Sequence, residues 1–91
     1  MHLDDIAELR PFVSDGRLIQ VPRRRGKRLA LLDLLAQEFE PGRRYSEQQV
    51  NDAIRAFADD FVTLRRYLVD EGFLDRSDDS GDYWRAGGSV I

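Results

Sequence analysis

The chain has 91 residues and a mass of 10.5 kDa, is 42% hydrophobic and 34% charged, and carries 14 Lys/Arg against 17 Asp/Glu, for a formal charge of −3. That length supports a single core, with roughly 60–70% of the chain's surface buried on folding. With no Cys and one His, thiolate nucleophiles, disulfides and the common structural zinc sites are excluded.

The first segment, Leu3 to Arg10, places Leu3, Ile6, Ala7 and Arg10 at helical spacing and ends at Pro11, which predicts a short helix. Phe12-Val13, the turn Ser14-Asp15-Gly16 and Arg17 to Val21 predict a hairpin, since Asp-Gly tolerates positive φ. After Pro22 comes the basic run Arg23-Arg24-Arg25-Gly26-Lys27-Arg28. It leads into a helix with Leu32, Leu35, Ala36 and Phe39 on one face. Leu31 and Leu34 widen that stripe, and Pro41-Gly42 is the expected stop.

Ser46-Glu47-Gln48-Gln49 is a capping box, in which Ser46 accepts from the Gln49 backbone and the Gln49 side chain reaches back. Val50, Ile54, Phe57, Phe61, Leu64 and Leu68 then form an unbroken apolar stripe up to the stop at Gly72. One long helix satisfies that spacing, and a coiled coil could use it. Asp59-Asp60 interrupts it with a preferred N-cap type, so two helices with a turn at 58–60 are expected. The second would run from about Asp60 to Glu71. Phe73 to Arg76 and Asp82 to Arg85 flank the polar stretch 77–81 and predict a second hairpin. Three parts are expected: an extension over 1–22, a core over 23–85 and a disordered Gly-rich tail over 86–91. Leu29 to Ala36, the richest apolar stretch, has eight residues and includes Asp33. A membrane-spanning helix needs ~20, and MHLDDIAELR lacks a signal-peptide core, so a cytoplasmic protein is expected.

Helix, turn, helix and then a hairpin with a polar tip is the order of an α+β winged helix-turn-helix. The chain from Lys27 to Arg85 also resembles the prokaryotic family known as domain of unknown function twenty eighty-seven. The features are the Lys27-Arg28 entry to the leucine helix, Gly42-Arg43-Arg44-Tyr45-Ser46-Glu47, Val50-Asn51, Asp60, Leu64-Arg65-Arg66-Tyr67-Leu68, Gly72, Leu74, Arg76 and Tyr83-Trp84-Arg85. The resemblance covers about residues 12–85. It implies a stand-alone form of a module often appended to ArsR- or MarR-like regulators, and hence a transcription-linked role.

From Arg17 to Arg44 there are eight basic residues against three acidic ones, and Arg and Lys provide most of the non-specific affinity for phosphate backbones. The candidate nucleic-acid contacts are Arg23, Arg24, Arg25, Lys27, Arg28, Arg43 and Arg44, with Arg65 and Arg66 for bases. Two observations oppose this. Asp59, Asp60, Asp70 and Glu71 crowd the reading helix, where ion pairs of Arg65 or Arg66 with Asp59, Asp60 or an N-terminal acid are equally expected. From Asp70 to Asp82, six acids face one Arg, the wrong sign for a wing that grips phosphates.

The spacing of acids at 75, 78, 79 and 82 does not fit a calcium loop. Trp84 is expected in the core, while Tyr45 and Tyr83 are open between core and base stacking. Ser46 lacks a His partner and already caps a helix, and Asp59-Asp60 diverge by about 100° on a helix, so no catalytic site or cofactor is expected. The reading is a non-enzymatic winged-helix module that docks on duplex DNA. The alternative is a protein-interaction module, in which the leucine stripe pairs two copies or binds a regulatory protein.

Overall fold

A computed structural model of the chain describes Leu3 and residues 6–89. His2 and part of the expected first helix lie outside those residues. Among the described residues, a 3-10 helix at Ala7–Phe12 precedes strands β1 (Val13–Ser14) and β2 (Arg17–Leu18), then helix α1 (Arg25–Ala36). Strand β3 (Arg44–Tyr45), helices α2 (Glu47–Arg55) and α3 (Phe61–Asp70), and strands β4 (Leu74–Arg76) and β5 (Tyr83–Arg85) complete the mixed α+β order.

Pro11 lies inside the 3-10 helix and does not terminate a helix before it. Its fixed φ suits the tight 3-10 geometry. Leu9 from this turn is fully buried. The hairpin pairs Val13 with Leu18 and Ser14 with Arg17, and Asp15 and Gly16 take φ of 51° and 76°, the left-handed pair that a tight two-residue turn requires.

Helix α1 stops at Ala36, earlier than the leucine pattern implies. Gln37, Glu38 and Phe39 continue as tight turns, donating to Leu34, Leu35 and Ala36, which keeps Phe39 in the core without a regular helix. Leu31, Leu32, Leu35 and Ala36 are buried to 1% exposure or less. The stripe expected to pair two copies is therefore consumed by the core of one.

The capping box on α2 forms as expected: the Ser46 hydroxyl accepts from the Gln49 amide at 3.1 Å and the Gln49 side chain accepts from the Ser46 amide at 2.8 Å. Replacing Ser46 with Ala should cost about 1 kcal/mol, read as a lowered thermal midpoint with the fold retained.

Residues 56–60 separate α2 from α3, so the stripe from Val50 to Leu68 belongs to two helices. Asp60 holds the N-cap position of α3 but makes no side-chain capping bond. What holds the break is tertiary. Leu18 donates to the Phe57 carbonyl at 2.7 Å and forms an isolated parallel bridge with Ala58. Arg17 donates to the Arg55 and Ala56 carbonyls at the end of α2 and pairs with Asp59 at 2.7 Å. The N-terminal hairpin thus satisfies carbonyls that a continuous helix would have used.

Strand β3 was not expected, and it makes the C-terminal hairpin a three-stranded antiparallel sheet of order β3-β5-β4. Arg44 faces Trp84 and Tyr45 faces Tyr83; on the other edge, Asp75 pairs with Trp84 and Arg76 with Tyr83. Alternation along β5 sends Tyr83 inward and Trp84 outward. Tyr83 is 3% exposed and Tyr45 9%, while Trp84 is half-buried. This corrects the placement of Trp84 in the core and assigns both tyrosines to it. Tyr45 meets Phe39 edge-on, centroids 5.1 Å apart, and its hydroxyl accepts from the Glu40 amide. Val50, Ile54, Leu64, Leu68 and Leu74 complete the core at 1% exposure or less.

Candidate nucleic-acid interface

The candidate cations fall into three groups. Arg23 and Arg24 precede α1, and Arg25, Lys27 and Arg28 lie on its first turn. Helix α1 packs on α3, which brings this run to the C-terminal half of α3. Arg43 precedes β3 and Arg44 begins it. Arg65 and Arg66 are on α3, but adjacent helical positions point in different directions.

Three of these residues are held by carboxylates. Arg25 grips Glu71 at 2.8 Å; that hydrogen bond holds the Glu71 carboxyl below the usual carboxylate range, against a smaller opposing effect of burial. Arg65 pairs with Glu47 at 3.3 Å, donates to Asn51, and has a side chain only 15% exposed. Its partner is therefore neither Asp59 nor Asp60; Asp59 belongs to Arg17. Tyr83 also donates to Glu47, at 3.3 Å, and burial pushes the tyrosine hydroxyl up from its ordinary pKa. Arg44 lies 4.8 Å over the Trp84 ring and 3.9 Å from Asp82.

Among the described residues, no carboxylate lies within 4.0 Å of Arg23, Arg24, Lys27, Arg28, Arg43 or Arg66. Arg43 stacks 5.1 Å over the Tyr45 ring of β3. Arg23, Arg24 and Lys27 line one shallow pocket with Phe12 and Gln20, and Lys27 sits 5.6 Å over the Phe12 ring. Arg28 donates to the Arg23 carbonyl at 3.0 Å and stacks 4.7 Å over Tyr67 of α3. Tyr67 in turn shares a second pocket with Thr63, Arg66 and Asp70. A chain of contacts therefore joins the start of α1 to the outer surface of α3. That surface is the stripe Val62, Arg66 and Asp70, all exposed, while Leu64 and Leu68 point inward.

At the sheet's far end, Asp75, Asp78 and Asp79 are exposed, with no cation within 4.0 Å among the described residues. The turn is closed by its own bonds, Ser77 to Asp82 and Gly81 to Ser77, each 2.9 Å. No group of three or more His, Asp or Glu that could hold a metal ion occurs among the described residues, and none of their helices is long and apolar enough to cross a membrane.

Sequence reasoning missed two arginines. Arg17, counted only as charge, closes the end of α2. Arg85 donates to the carbonyls of Phe39, Gly87 and Ser89. Neither role has a local signature, because each partner is distant in the chain or lies in a segment without periodicity.

A family model described as Uncharacterized protein conserved in bacteria (DUF2087) matches residues 17–85. The match starts at β2 and ends at β5, so it takes in α1, α2, α3 and the three-stranded sheet. No curated protein and no solved structure matches the chain.

Proposed function

We propose a function for this chain, which belongs to the bacterial family DUF2087: a non-enzymatic, transcription-linked winged-helix module that docks on duplex DNA. The order α1-β3-α2-α3-β4-β5 with sheet order β3-β5-β4 suits that fold, with α3 as the helix presented to the major groove. The observation that carries the reading is the surface joined by Arg28 and Tyr67. There Arg23, Arg24 and Lys27, with no carboxylate within 4.0 Å among the described residues, line one pocket. Arg28 links that run to Tyr67 of α3, which shares a second pocket with Arg66 and Asp70.

Phosphates attract these cations and fix orientation, and Arg66 is the one arginine of α3 facing solvent and available to a base edge. Arg25, Arg44 and Arg65 serve the fold through Glu71, Asp82 and Glu47, and Arg43 is a flanking contact at most. The acidic turn at Asp78-Asp79 stays off the backbone, so the footprint is shorter than a two-sided grip would make.

Contact through Arg23, Arg24, Lys27 and Arg66 implies about four phosphates or fewer, and a salt slope of roughly −3.6 at −0.9 per contact. Affinity for a duplex labelled for anisotropy should then fall about 10²-fold between roughly 50 and 200 mM salt. Absence of binding to any duplex at low salt would overturn the proposal. The competing reading, a protein-interaction module, draws on Asp70 beside Arg66 and on the acidic turn. It predicts no duplex binding and a complex with a basic protein partner.

A further inference from the structure

We infer that residues 86–89 form a strap that locks strand β5 onto helix α1, with Asp33 as its keeper. The inference does not depend on DNA binding. The Asp33 carboxylate accepts from the Ser89 amide at 2.7 Å through one oxygen and from the Ser89 hydroxyl at 2.6 Å through the other. The Ser89 carbonyl accepts from Arg85 at 2.6 Å and from Gln37 at 2.9 Å. Every polar group of Ser89 therefore has a partner on α1 or β5, although the residue is exposed. Arg85 also donates to the Gly87 carbonyl at 3.0 Å.

The two glycines before Ser89 answer to this seat. A Cβ on Gly87 would stand 2.7 Å from the Gly72 carbonyl oxygen, closer than real Cβ contacts come. Gly88 has φ of 101°, and a Cβ there would lie 3.1 Å from the Asp33 carboxylate. Only glycine combines that backbone with that approach. Gly88, Ser89 and Asp33 share a shallow cleft with Leu29, Ala30 and Phe73, so release of the strap removes one wall of an apolar surface.

The lock is electrostatic. Burial works against the charged form of Asp33, but the Ser89 hydroxyl and amide, Gln37 and the facing Arg85 outweigh it and hold the carboxyl below its usual range. Arg85 is the charged group facing it from β5; Gln37 and Ser89 are neutral. A carboxyl lowered on folding adds stability above its unfolded pKa and loses it as pH falls through the folded value. The seat of Ser89 therefore keeps its Asp33 contribution at neutral pH and loses it in acid, as pH falls from the ordinary Asp value through the lower folded one.

The test is amide hydrogen exchange by NMR on the full chain at neutral pH, corrected for intrinsic rates. Residue 89 is compared with Leu64 in wild type, Asp33→Asn and Ser89→Ala. The residue 89 amide should exchange about tenfold or more faster in Asp33→Asn, and faster, by less, in Ser89→Ala, with Leu64 unchanged in both. Equal rates at residue 89 in all three proteins overturn the lock. So does acceleration of Leu64 in step with residue 89 in both variants, because the strap would then have no opening of its own.

Discussion

A Leu64→Ala protein is expected to lose about 2–5 kcal/mol of stability, while Val62→Ala, two residues away on the same helix, changes it by less than about 0.5 kcal/mol. Leu64 is fully buried in the core, whereas Val62 is 44% exposed on the stripe assigned to the groove. The Leu64 loss combines the transfer free energy of the missing carbons with the cavity left in a close-packed core that relaxes only partly around it. A domain of this size has about 5–15 kcal/mol in total, so the variant should stand near its folding threshold. Urea titration decides it: the midpoint should drop sharply for Leu64→Ala at constant slope. A comparable drop for Val62→Ala would mean that the α3 stripe packs against something and is not a free surface.

The second large effect concerns binding. Reversing Arg23, Arg24 and Lys27 together to Glu should lower duplex affinity about 10²-fold or more at low salt and bring the salt slope close to −1, since each lost phosphate contact removes roughly 0.9. None of the three has a carboxylate partner among the described residues, so the fold should survive, which the urea midpoint checks. Reversal of Arg44 and Arg65 is the informative contrast. It should cost stability through Asp82 and Glu47, with Arg65 weighing more because its side chain is mostly buried. The slope should change little. If Arg44 and Arg65 set the slope and the α1 run does not, the interface lies on the sheet side of α3 and the proposal fails.

The candidate site was legible as residue types and illegible as geometry. Charge counting singled out the α1 run, and the acids of 70–82 correctly signalled a negatively charged turn. It could not divide Arg65 from Arg66. The two are neighbours in sequence, yet about 100° of helix rotation turns one to Glu47 and leaves the other facing solvent. For a similar reason, the sequence favours Trp84 for the core and leaves Tyr83 open, whereas Tyr83 is the buried one. Which of two adjacent aromatics faces inward depends on register, and register here is fixed by pairing with both β3 and β4, strands of two and three residues that are too short to leave a periodic signal.

By itself, the amino-acid order determined the elements whose causes are local. Ser46 and Gln49 cap α2, Asp15-Gly16 turns the first hairpin, Gly72 stops α3, and the leucines of α1 define a core-facing stripe. Tertiary structure alone decided the break between α2 and α3, which Arg17 and Leu18 hold from across the chain, the third strand, and the seating of Ser89 on Asp33. These depend on hydrogen bonds between residues tens of positions apart, and no window of sequence contains both partners.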